Sequence, residues 1–151
     1  MDKTKPKEKL EQLEKENKWV FHGSRKKLEK LTPHQAFKHS PKRKIPDGEP
    51  MVFASPFIDI AIFMAIMNKK NLPGGFESGY SFSTGEKIKF NAKIKTTTNL
   101  DVKKGYVYVL DKKKFTPRSF AEYLSKEEII PNDVIAVSGK DLPEDIKIEY
   151  F

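Results

Sequence analysis

The sequence predicts an α+β fold with mainly antiparallel sheets, and three observations carry that prediction. Most strand-like runs fall in the second half of the chain, joined by short turns rather than by regular helical crossovers. Residues 51–67, MVFASPFIDIAIFMAIM, read as a buried strand that runs into a helix apolar on nearly every face. Over residues 87–95, apolar and polar side chains alternate without a break, the period of a half-buried strand with a basic outer face. The pattern amounts to roughly seven or eight strands and three helices. With 151 residues, the chain suits a charged N-terminal helix over 1–17 and a single domain over 18–151.

Taken in order, residues 4–17 form a helix with Pro6 in its first turn. Only Leu10 and Leu13 make an apolar stripe there, so weak docking is expected. Residues 18–23 form a strand carrying the sole tryptophan, Trp19, beside Val20 and Phe21, and it stops at His22-Gly23-Ser24. Residues 24–48 are loop-rich, punctuated by Pro33, Pro41 and Pro46, with room for one helical turn at 33–37 capped by Thr32. After the strand at 51–54, Ser55 stands as helix N-cap and Pro56 at the first helical position, where its missing N–H costs nothing.

The helix that follows has Asp59 as its only charge. It falls short of the roughly 20 apolar residues a bilayer span needs, so no membrane partner is expected. Thr84-Gly85-Glu86 signals a hairpin between 80–83 and 87–95, and 96–101 can extend it as an edge. A strand over 106–110, a short helix over 116–124 capped by Thr116-Pro117, and strands over 127–130, 134–137 and 146–151 complete the chain.

Composition bounds the function. The chain has no cysteine, which excludes disulfides, thiolate metal sites and a cysteine nucleophile. The first 18 residues have no apolar signal-peptide core, so a cytoplasmic protein is expected. The formal charge is +8, much of it in clusters such as Lys42-Arg43-Lys44 and Lys112-Lys113-Lys114. That Lys-rich surface suits either attraction to nucleic acid or plain solvation. No Walker loop, GxGxxG or GxSxG is present. His34 and His39 have no acidic cluster beside them, so no metal site is expected. His22 is different: it ends an apolar strand, followed by glycine and serine, where a ligand can reach its ring.

Three segments in order resemble the ADP-ribosyltransferase superfamily, in its histidine-bearing branch of poly(ADP-ribose) polymerases and rifampicin-modifying transferases. Val20-Phe21-His22-Gly23-Ser24 resembles that branch's first motif, an apolar strand ending in His-Gly-Ser or His-Gly-Thr. Val52-Phe53-Ala54-Ser55, with Ala61 and Phe63 in the helix that follows, resembles the second. Glu127-Glu128-Ile129-Ile130-Pro131, followed by Val134-Ile135-Ala136-Val137, resembles the third. The resemblance covers residues 18–138 and implies two packed sheets with NAD bound across a central cleft. It implies that His22, Gly23, Ser24, Val52, Ser55 and Phe63 contact NAD, with His22 on a ribose, the Gly23 backbone on the nicotinamide amide and Phe63 stacked on the ring.

By the same resemblance, Glu127, or Glu128 beside it, would stabilise the charge that develops as nicotinamide leaves and orient a macromolecular acceptor. A carboxylate suits that role because the charge arises only in the transition state. Polymerase-like members carry tyrosine where this chain has Val52, which leaves one stacking face aliphatic. The implied function is NAD-dependent ADP-ribosyl transfer. The second reading is a catalytically silent module of the same fold that binds nucleic acid or protein through its lysines.

Overall fold

The apolar run and the alternating run become the two elements on which the rest is packed. A computed structural model describes residues 5–33, 37–39, 44–46, 50–82 and 87–151. The strands in chain order are β1 (Trp19–Ser24), β2 (Phe37–His39), β3 (Lys44–Pro46), β4 (Val52–Ala54), β5 (Glu77–Phe82), β6 (Ile88–Ile94), β7 (Lys104–Asp111), β8 (Thr116–Pro117), β9 (Tyr123–Ser125), β10 (Asp133–Ser138) and β11 (Lys147–Tyr150). The helices are α1 (Pro6–Lys15) and α2 (Ile58–Ile66). The fold is α+β, as the sequence predicts, and among the described residues every strand pair but one is antiparallel.

Three sheets have three strands each, in the orders β1-β7-β10, β11-β6-β5 and β4-β9-β8, and β2-β3 is a separate ribbon. The parallel pair is β11 on β6. A bridge between Phe21 and Ser55 joins the edge of β1 to β4, so that the first and third of these sheets continue each other. In β6 the predicted alternation holds: Phe90, Ala92 and Ile94 are buried while Lys89, Asn91 and Lys93 are exposed.

α2 buries every residue except Asp59 and Met64. One side lies on β1 and β7, where it runs so close that a Cβ on Gly23 would stand 2.0 Å from the Ala61 carbonyl oxygen. A Cβ on Gly105 would stand 2.2 Å from the Ala65 oxygen. Its other side meets β6, with the Phe63 and Phe90 ring centroids 5.0 Å apart. Burying an isoleucine fully stabilises by about 1.5–3 kcal/mol, and Ile58, Ile60, Ile62 and Ile66 are all buried here. A second apolar cluster, including Val52, Tyr108, Leu110 and Ile129, covers the opposite face of β1 and β7. Covered on both faces, β7 reads as a continuous apolar run rather than an alternating one.

Several expectations are corrected. The helix starts at Ile58 with Phe57 as N-cap, and no side chain of its own caps it. Glu14 of α1 does so instead, its Oε2 accepting from the Ile58 N–H at 2.8 Å. That bond and the complete burial of Leu10 dock α1 more firmly than two leucines suggest. The helix expected at 116–124 is two short strands and a turn, closed by Arg118 N–H donating to the Glu122 carbonyl at 2.8 Å. The Thr-Pro cap signal loses there to pairing of β9 with β4. The strand expected at 127–130 reduces to one bridge, Leu31 with Ile129, because Lys126 and Glu127 form a bend that offers no ladder. A 3-10 turn at Leu100–Val102, capped by Asn99, replaces the expected edge. Thr84-Gly85-Glu86, His34 and most of the turn expected at 33–37 lie outside the described residues.

Candidate functional site

Antiparallel geometry sets the directions of the site's groups. Phe21 exchanges backbone bonds with Ser55 of 2.7 and 2.9 Å, so its N–H and C=O point away from β7. Two residues on, Gly23 points its own N–H and C=O to the same edge. Continued pairing would set Gly23 against Phe53. The Phe53 carbonyl is instead taken by the His22 ring, with Nδ1 at 2.5 Å. A carbonyl only accepts, so Nδ1 carries a proton and donates it to this bond. The strands part at this point, and a recess opens where the next rung of the ladder would lie.

The recess has a volume of about 160 Å3. It is lined by His22, Gly23 and Ser55 together with Phe53, Ile60, Met64 and Tyr80. An apolar cavity of about 150 Å3 is known to hold one benzene ring, so this recess admits one planar ring and not a whole dinucleotide. Met64, the one exposed apolar residue of α2, is 51% exposed at its rim. Behind His22 lies Tyr108, ring centroids 6.1 Å apart. The buried Tyr108 hydroxyl donates to the Lys26 carbonyl at 2.6 Å and accepts from the Leu28 N–H at 2.5 Å. Burial, ahead of every other cause, holds that phenol above its ordinary pKa. Both bonds pin the chain as it leaves Ser24 and so fix the end of β1.

Of the residues singled out from sequence, His22, Gly23 and Ser55 meet at this recess. Ser24 turns away, its Oγ accepting from the Lys26 N–H at 3.2 Å. Ser55 is also structural, its buried Oγ accepting from the Phe57 N–H at 3.2 Å. Val52 faces the second apolar cluster, and Phe63 is buried between α2 and β6, so neither lines the recess. Glu127 lines a separate groove of about 700 Å3 with Lys113, Lys114, Arg118 and Lys126. Glu128 pairs with Lys30 at 3.3 Å.

Two residues that line the recess, and a third whose charge reaches its wall, escape the sequence reading. Phe53 and Tyr80 supply the aromatic walls that Phe63 does not. Alternation in β4 signals Phe53, since its neighbours Val52 and Ala54 are buried and it is not. The third is Glu122, at the entry to β9, whose first residue Tyr123 pairs with Ala54. Tyr80's phenol is held above its ordinary pKa by burial first and by the charge of Glu122 second, although Glu122 does not itself line the recess. Arg118 Nε lies 3.7 Å from the Glu122 carboxylate. Placing Glu122 inside a helix hides this register, and nothing local marks it.

Among the described residues, no group of three or more histidine, aspartate or glutamate side chains could hold a metal ion. No described helix is long and apolar enough to cross a membrane. No family model, curated protein or solved structure matches the chain.

Proposed function

We propose that the chain transfers ADP-ribose from NAD to a macromolecular acceptor, with nicotinamide leaving from the His22 recess. The observation that carries this reading is the parting of β1 from β4. It leaves a ring-sized apolar space whose lining offers a backbone N–H and C=O side by side at Gly23, the two complements of a carboxamide. Nicotinamide is a planar ring bearing a carboxamide. Tyr80 and Phe53 supply faces for the ring, and the His22 imidazole lies where the adjoining ribose leaves the recess. The remainder of the dinucleotide lies outside the recess, which is too small for it.

In the reaction, the bond between the ribose anomeric carbon and the nicotinamide nitrogen breaks, and its electron pair leaves with nicotinamide. The acceptor's nucleophile bonds to the same carbon and gives up its proton to a base or to solvent. Positive charge on the ribose peaks between these events. We assign its stabilisation to Glu122, whose charge reaches Tyr80 while Glu127 lines a separate groove, in the role the resemblance implies for Glu127 or Glu128.

Thermal unfolding with NAD, and separately with benzamide as a nicotinamide mimic, tests the site. A ligand at about 100 times its dissociation constant adds about 2.7 kcal/mol of stability. Both ligands are expected to raise the melting temperature of the wild type, and His22→Ala to abolish the shift given by NAD. No shift with either ligand at millimolar concentration would overturn the proposal.

A further inference from the structure

The turn between β8 and β9 joins two surfaces outside the recess, which share with it only Tyr80. On one side lies an aromatic cluster: Phe120 stands 4.8 Å from Phe82 and 6.0 Å from Phe57, and Tyr80 stands 6.0 Å from Phe82. Phe120 is 45% and Phe82 38% exposed, so these rings offer faces to solvent rather than closing a core. On the other side lies the groove of about 700 Å3, with Lys113, Lys114, Arg118 and Lys126 against one carboxylate, Glu127. Among the described residues, neither Lys113 nor Lys114 carries an ion pair. Arg118 and Phe120 sit two residues apart on the turn that links the surfaces, and Phe53 beside the recess pairs across the ladder with Leu124 beside the groove.

We propose that this composite surface binds single-stranded nucleic acid, with phosphates along the Lys113, Lys114 and Arg118 groove and an unpaired base on Phe120 and Phe82. A cationic groove beside exposed aromatic rings is the combination that single strands use, because phosphates need cations and every free base has a face to stack. A duplex keeps its bases stacked on each other and has no use for the rings. An acidic peptide satisfies the lysines and leaves the rings bare. A second copy of the chain, itself at +8, brings like charge to the groove. Reading this surface as the seat of the acceptor rests on the proposed transfer activity, whereas the binding itself does not.

Fluorescence anisotropy of a labelled single-stranded RNA of about 12 nucleotides, with the full chain and no NAD, tests the binding alone. Salt is varied from about 50 to 300 mM. Lys113→Gln/Lys114→Gln is expected to lower affinity and reduce the slope of log K against log salt by about 1.4, at about 0.7 for each phosphate no longer neutralised. Phe120→Ala is expected to weaken binding about tenfold at every salt concentration, with the slope unchanged. Phe120→Leu, which keeps apolar packing on Phe82 without a stacking face, shows the same loss should the alanine variant fail to fold.

Lys69→Gln/Lys70→Gln, the same charge change outside the groove, leaves affinity and slope at wild-type values. No binding at 50 mM salt overturns the proposal, as does an equal loss from the Lys69/Lys70 pair. Tighter binding of duplex RNA with no effect of Phe120→Ala does so too, and equal competition by polyglutamate assigns the groove to acidic peptides instead. Because no step uses NAD, failure here leaves the transfer reading standing, and binding without any nicotinamide release removes only the acceptor role.

Discussion

At the residue scale, Gly23 is fixed by packing as well as by chemistry. Its absent side chain lets the Ala61 carbonyl oxygen approach to 2.0 Å from where a Cβ would be. Gly23→Ala is therefore expected to cost about 1–3 kcal/mol, read as a shift in the urea midpoint. Gly79→Ala, where the nearest atom to a Cβ is 3.7 Å away, is expected to leave the midpoint within about 0.5 kcal/mol of wild type. Equal effects would remove the close approach of α2 to β1. Phe63 and Tyr80 divide in the same way. Phe63→Ala empties a fully buried site and is expected to destabilise by about 3–5 kcal/mol. Phe63→Leu keeps the fold and full NAD affinity, whereas Tyr80→Ala keeps the fold and loses affinity, as a calorimetric titration would separate. The His-Gly pair was legible in sequence because an apolar strand that stops at a glycine needs a reason. The partner of Glu122 was not, because Ala54 and Tyr123 are brought together only by the β4–β9 ladder.

At the scale of elements, α1 and α2 act as one unit through Glu14 and Asp59. Glu14 supplies the acceptor that the first turn of α2 lacks. Hydrogen exchange should show faster exchange of the Ile58 to Ala61 amides in Glu14→Ala and wild-type protection in Glu14→Gln, which keeps an oxygen there. Both carboxyls sit in partly desolvated surroundings. Burial is the largest cause raising the pKa of each, above 4.5 for Glu14 and 3.8 for Asp59. Among the described residues the Asp59 Oδ1 has no hydrogen-bond partner, and Lys7 approaches only to 3.7 Å.

The sign follows from proton counts: between the unfolded and folded pKa values the folded state holds more protons. Their stabilising contribution is therefore full below the ordinary carboxylate range and is lost as pH rises through the raised folded values. Asp59→Asn is expected to flatten that decline, measured as urea midpoints from about pH 4 to 8. An unchanged slope would place Asp59 in water. Long elements with their own period, α2 and β6, were legible because each carries its hydrophobic pattern within itself. Three-residue β9 was not: a short segment takes its structure from its partner, and the local Thr116-Pro117 signal outweighed a partner that sequence alone does not reveal.

At the scale of the whole molecule, the site exists because two continuous sheets stop being continuous at one rung. The bridge from Phe21 to Ser55 holds β1 to β4, the His22 ring intercepts the next carbonyl, and the recess fills the gap. Glu127 lies among the cations of a separate groove, whereas the charge of Glu122 reaches Tyr80 of the recess. The proposed transfer requires that Glu122, and not Glu127, serve the His22 recess in breaking the nicotinamide bond of NAD. The direct measurement is nicotinamide release from NAD by the full chain, with a pool of RNA and protein acceptors, compared across wild type, Glu122→Gln and Glu127→Gln. Release by the wild type, a loss of at least about a hundredfold in Glu122→Gln with NAD affinity preserved, and near-wild-type release by Glu127→Gln is the predicted result. No release by the wild type, or a loss confined to Glu127→Gln, would contradict it.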